Sequence, residues 1–123
     1  MNEKEYQELI DRHPRITLSG FKIGRRGFAR SVHSFLAQAE LAELKRLLPA
    51  FEICCTYLGW RQRLQRGTQV SDIKSSAENW AWHPPFAKPE FPLGVVMLAL
   101  ISLGYHFRQV RGSYDGRIVR YHG

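Results

Sequence analysis

The residues best suited to chemistry in this chain are its arginines, thirteen against five lysines, and ten of them fall in three groups. Arg25, Arg26 and Arg30 lie in "GRRGFAR", Arg61, Arg63 and Arg66 in "RQRLQR", and Arg108, Arg111, Arg117 and Arg120 in "RQVRGSYDGRIVR". A guanidinium forks onto phosphate or carboxylate and stacks on flat rings, whereas an ammonium acts more as a point charge. Grouped arginine with a net charge of +7 therefore points to a polyanion, either nucleic acid or an acidic protein surface. Surface solubility is the competing explanation. For the middle group, charge at a helix C-terminus is another, because it complements the macrodipole. Neither accounts well for the last group, where four arginines meet a single acid, Asp115.

Other chemistry is thin. The chain has no phosphate-cradling Gly-Lys-Ser/Thr loop, no H-E-x-x-H and no C-x-x-C. His13, His33, His83, His106 and His122 are scattered singly. His83, between Trp82 and Pro84, is the most site-like of them and reads more simply as a loop histidine. Cys54 and Cys55 are adjacent in a helical pattern, where neighbouring side chains diverge, so they are not expected to pair. An apolar setting raises a thiol's pKa and keeps it inert. Lys74 and Glu78 are spaced as a surface pair. The expectation is a protein that is not an enzyme and uses no cofactor or metal. Unpaired cysteines suit the reducing cytoplasm. "MNEKEYQELIDR" lacks an apolar h-region, so no signal peptide is expected. "PLGVVMLALISLG" is too short to cross a bilayer, so no membrane partner is expected either.

The length fits one domain over residues 1–123, and 44% apolar residues suffice for a core. Asn2 to His13 reads as a lightly packed surface helix capped by Asn2, with only Tyr6, Leu9 and Ile10 to bury. Arg15 to Arg30, interrupted by Gly20, Gly24 and Gly27, reads as a loop or short hairpin. Ser31 to Leu48 is the clearest helix, with Leu41, Leu44 and Leu48 in one row. Pro49 opens the next, which shows Phe51, Cys54, Cys55 and Leu58 on one face and carries the middle arginines at its far end until Gly67. Ser71 to Trp82 reads as a fourth helix capped by Ser71 or Ser75, with Ile73, Ala77 and Trp80 aligned. Pro84, Pro85 and Pro89 should hold the following connector extended, with Trp80, Trp82, Phe86 and Phe91 available to pin it. Pro92 to Leu103 is apolar on every side and should be the central buried helix. A hairpin with a Gly/Asp-Gly turn over "GSYDG" (Gly112 to Gly116) then ends the chain, its arginines pointing away from the apolar side. The expected class is mainly α within α+β, about five helices and a C-terminal β-hairpin.

Helix, stiff connector, buried helix and basic hairpin together resemble a winged helix-turn-helix. A recognition helix must offer polar side chains to a groove, and "LGVVMLALISL" offers none. Contact with nucleic acid would therefore fall to the arginines named above. A second resemblance rests on Cys54-Cys55 with Leu58, on Ser71 to Ser75 with Glu78 and Trp80, and on Gly94 through Leu103-Gly104-Tyr105. These resemble small uncharacterised proteins of plasmids, integrative elements and phages, with the pattern CC-x-x-L, S-x-x-LKH-x-x-E-x-W and an apolar helix ending in LGF. The likeness covers roughly half the chain, and Ser75 stands where that pattern has His. It implies a mobile-element accessory protein and brings no activity with it. Two partners are then expected as alternatives. One is nucleic acid itself. The other is a nucleic-acid-processing protein complex of a host defence system, held by an anti-CRISPR-like inhibitor with a basic face.

Overall fold

A computed structural model describes residues 1–23 and 30–122, those of 30–36 by backbone alone. The elements in chain order are α1 (Glu3–Arg12), β1 (Ile16–Thr17), β2 (Gly20–Phe21), α2 (Arg30–Lys45), α3 (Leu48–Trp60), α4 (Val70–Ala81), α5 (Leu93–Ser102), β3 (Tyr105–Gln109) and β4 (Gly116–Tyr121). Half of the chain is helical, and the strands form two antiparallel hairpins, β1 with β2 and β3 with β4. The class is α+β with a C-terminal hairpin, as the sequence patterns lead one to expect.

α5 is the centre. Its sequence "LGVVMLALIS" carries no charged group, and Gly94 through Leu100 are all buried. α1, α3, α4 and strands β1 to β3 all pack against it. The β1–β2 hairpin crosses its first turn so closely that a Cβ on Gly94 would collide with the Thr17 carbonyl oxygen. The Gly94 N–H donates instead to Leu18 O at 3.1 Å. On its other side the Phe21 N–H donates to Tyr114 O at 2.9 Å. The small hairpin is thus clamped between α5 and the turn of the C-terminal hairpin. α5 cannot serve as a recognition helix.

Several local expectations need correction. Asn2 does cap α1, accepting from the Glu5 N–H at 2.8 Å, but the helix is not lightly packed. Tyr6, Leu9 and Ile10 recur at helical spacing, so three apolar residues make one stripe, and all three are buried. The Tyr6 hydroxyl donates to Leu44 O at 2.7 Å, and burial raises its pKa so that it stays a donor. The leucine row of α2 does not continue: Leu44 is buried, Leu41 is 40% exposed, and Leu48 already belongs to α3. Pro49 in the first turn of α3 marks the break. Neither Ser71 nor Ser75 caps α4, since Gln69 holds the N-cap position without a side-chain bond. Of the row Ile73, Ala77 and Trp80, only the first two are buried.

The side chain beside that row is more consequential. Glu78 is 7% exposed, not part of a surface pair. Its Oε2 accepts from Lys74 Nζ at 2.8 Å and from the Phe91 N–H at 2.7 Å. Here the proline connector is anchored. Its first half is not extended: the Phe86 N–H donates to His83 O at 3.1 Å, and the Trp82 indole N–H donates to Phe86 O at 2.7 Å, closing a turn. Of the four aromatic residues expected to pin the connector, Phe91 alone enters the core, while Trp80, Trp82 and Phe86 remain exposed. Replacing Glu78 with Ala strands a buried backbone N–H, so the expected loss is about 1–3 kcal/mol. Urea denaturation checks this, with Glu90→Ala as an exposed control that leaves the midpoint unchanged.

Candidate functional site

β4 reads Gly-Arg-Ile-Val-Arg-Tyr, with Gly116 and Ile118 buried and Arg117 and Arg120 exposed. In a regular strand, residues three apart face opposite sides. Here the register passes from Phe107↔Ile118 to His106↔Arg120, so Val119 is an extra residue. That bulge turns Arg120 to the same side as Arg117. Across the ladder Arg108 pairs directly with Arg117, and His106 with Arg120. The rings of His106 and His122 lie edge to face at 5.1 Å. The outer face of the hairpin is therefore cationic along its length. Arg111 lies in the connecting turn, exposed, rather than on a strand as expected.

Of the middle arginines only Arg61 stands at the helix end, as the C-cap of α3; Arg63 and Arg66 lie beyond it. α3 stops at Trp60, and Arg61 is already extended, with ψ 166°. Gly59 weakens the last turn, and Leu64 finds burial outside the helix, where its N–H donates to the Tyr105 hydroxyl at 3.2 Å. Gly67, at φ 91°, adopts a backbone that favours glycine and brings the chain alongside β4. The Gly67 N–H donates to Ile118 O at 2.8 Å, the Ile118 N–H donates to Thr68 O at 2.9 Å, and Gln69 bridges to Arg117. Complementing a macrodipole does not explain Arg63 and Arg66, which lie past the C-cap. Arg63 lies over the Tyr121 ring at 4.4 Å, and Arg66 directly precedes the residues that pair with β4. Both are exposed. Arg61 is half-buried and engaged with Tyr57, donating to its hydroxyl at 2.9 Å. The structure thus brings Arg63 and Arg66 to the edge of the sheet that carries Arg108, Arg117 and Arg120. Arg25, Arg26 and the side chain of Arg30 lie outside the described residues.

Asp115 does not neutralise this face. Its Oδ1 accepts from the N–H groups of Ser71 at 3.0 Å and Gly116 at 2.8 Å, and its Oδ2 bonds the Ser71 hydroxyl. It caps α4 from 44 residues away, supplying both the acceptor and the negative charge that Gln69 does not. Ion pairs among the described residues join Lys45 to Asp11, Arg46 to Glu43 and Lys74 to Glu78, and none reaches the hairpin.

Sequence reasoning missed a cavity of about 490 Å³ between the end of α1 and β3, lined in part by Arg12, His13, Arg15 and His106. Arg15 is held there by Gln109, to which it donates at 2.8 Å. Burial and then the neighbouring Arg12 lower the pKa of His13, so it is uncharged at neutral pH. The Arg12-x-x-Arg15 spacing around Pro14 was the visible signal. The thiols offer no reactive centre: burial, with the charges of Cys55 and Glu78 adding to it, pushes Cys54 up to about 12. Burial also raises Cys55, with Ser102 opposing. Among the described residues no cluster of His, Cys, Asp and Glu could hold a metal ion, and no helix is long and apolar enough to cross a membrane. No protein-family model, curated protein or solved structure matches this chain.

If Asp115 caps α4, Asp115→Ala should cost about 0.5–2 kcal/mol, the range for a lost N-cap. An unchanged midpoint in urea would show that Ser71 finds another partner.

Proposed function

We propose that this chain is a non-enzymatic accessory protein that binds nucleic acid through the outer face of its C-terminal hairpin. Arg63 and Arg66 extend the contact from the segment that pairs with the edge of β4 through residues 67–69. The observation that carries this is the direct opposition of Arg108 and Arg117, with no ion pair to either among the described residues. Like charges directly opposite each other destabilise a strand pair. A phosphate seated between two guanidinium groups relieves that repulsion and gains charge-assisted hydrogen bonds. The site lies on strands, which hold side chains more firmly than a loop does, and Asp115 ties the turn to α4. Phosphate contacts carry no sequence information by themselves, so binding through this face is general. The two cysteines, free in the structure, suit a reducing compartment, which supports a role in the cytoplasm.

Contacts to phosphate release counterions, and the logarithm of affinity falls with the logarithm of salt by about 0.9 per contact on duplex DNA. Binding of mixed-sequence DNA and RNA, measured across about 50 to 200 mM salt, is expected to weaken steeply. Arg117→Ala with Arg120→Ala should flatten that slope by about two, at about one contact for each arginine. Salt-independent or absent binding in the wild type would overturn the proposal and leave an acidic protein surface as the partner. An unchanged slope in the variant would move the face elsewhere.

A further inference from the structure

Two of the three exposed tryptophans, Trp60 and Trp80, meet where α3 ends beside α4. Trp60 is 71% exposed and Trp80 38%, with ring centroids 6.1 Å apart. Trp80 lies 5.5 Å from the Tyr57 ring, and the guanidinium of Arg61 sits 5.6 Å from that same ring. Two residues further on, Arg63 covers Tyr121 at 4.4 Å, and Tyr121 packs on Tyr105 at 4.6 Å. Rings and guanidinium groups thus interleave from the tip of α3 to the hairpin, and the series ends in an open indole.

Leaving Trp60 in water forgoes the largest apolar contribution a side chain can make. Gly59 beside it has open space where a Cβ would stand, so packing does not require glycine there, and in a helix it is destabilising. One turn before each tryptophan the exposed residues are Thr56 and Ser76, and Asn79 adjoins Trp80; Ile53 is exposed two turns away. The surroundings are polar and cationic rather than aliphatic. They suit a ligand that is flat and anionic better than the apolar face of a helix.

We propose that Trp60 and Trp80 form a base-stacking platform for single-stranded nucleic acid, whose backbone follows Arg63 and Arg66 to the hairpin. The inference rests on the nucleic-acid function proposed above and adds the form of strand. Bases of a duplex are stacked on one another and present no face to an indole, whereas unpaired bases stack on aromatic side chains whatever their identity.

The test compares a labelled oligothymidine with a mixed-sequence duplex, using wild type, Trp60→Ala and Trp60→Phe. Trp60 is largely exposed, so all three should share one thermal transition. Oligothymidine should bind wild type more tightly than the duplex does. Trp60→Ala should weaken oligothymidine binding roughly five- to a hundredfold, the usual range for one lost stacking partner. Trp60→Phe should recover most of the loss, and duplex binding should not move. Equal affinity for both strand forms, with Trp60→Ala neutral, overturns the platform and leaves the arginine face standing. Failure of wild type to bind either probe overturns both. A wild type that is dimeric by light scattering, and monomeric as Trp60→Ala, assigns the patch to a second copy and also overturns the platform.

Discussion

Seven consecutive residues of α5, Gly94 to Leu100, are buried, and a helix without a polar side must be covered all round. Each large apolar residue so enclosed contributes roughly 1.5–3 kcal/mol, so the neighbouring elements are arranged to enclose it. α3 and α4 pack against it, the β1–β2 hairpin presses on Gly94, and β3 departs almost at once from its end. The consequence for function is direct. The helix that a winged fold would use for reading a groove is occupied as core, so under the proposed function recognition falls to the hairpin and its edge.

What holds that periphery in place is polar and long-range. Asp115 joins the hairpin turn to the start of α4, Glu78 joins α4 to the strap before α5, and the Tyr105 hydroxyl takes the N–H of Leu64. Each is a carboxylate or phenol oxygen accepting from a backbone N–H that its own segment leaves without a partner. The hairpin's one acid is turned to α4 this way, and among the described residues no ion pair reaches the arginine face.

α5 was legible because burial on all sides needs only an unbroken apolar run, and the hairpin because two β-rich runs flank a Gly-containing turn, whose reversal falls over residues 110–115 with Gly112 at φ 70°. The cap at Asn2 was local too. Glu78 was misread because a buried carboxylate with a lysine four residues before it has the same spacing as an exposed pair. The end of α3 was misread because arginines at a helix end and arginines leaving a helix look alike in one dimension. The pull of β4 on Gly67 comes from residues fifty positions away. The arginines themselves could be named from composition. That Arg117 and Arg120 share a face depends on the bulge at Val119, which no periodicity in the sequence announces.

The central claim is that phosphate meets this protein on the outer face of the C-terminal hairpin. It is tested most directly by mapping backbone amide chemical-shift changes in the isotope-labelled protein as a short oligothymidine is added. The account predicts the largest changes at His106, Arg108, Arg117 and Arg120 and along Arg63 to Gln69, lost as salt is raised. Changes confined to α1 and α2, with the hairpin amides unmoved, would contradict it.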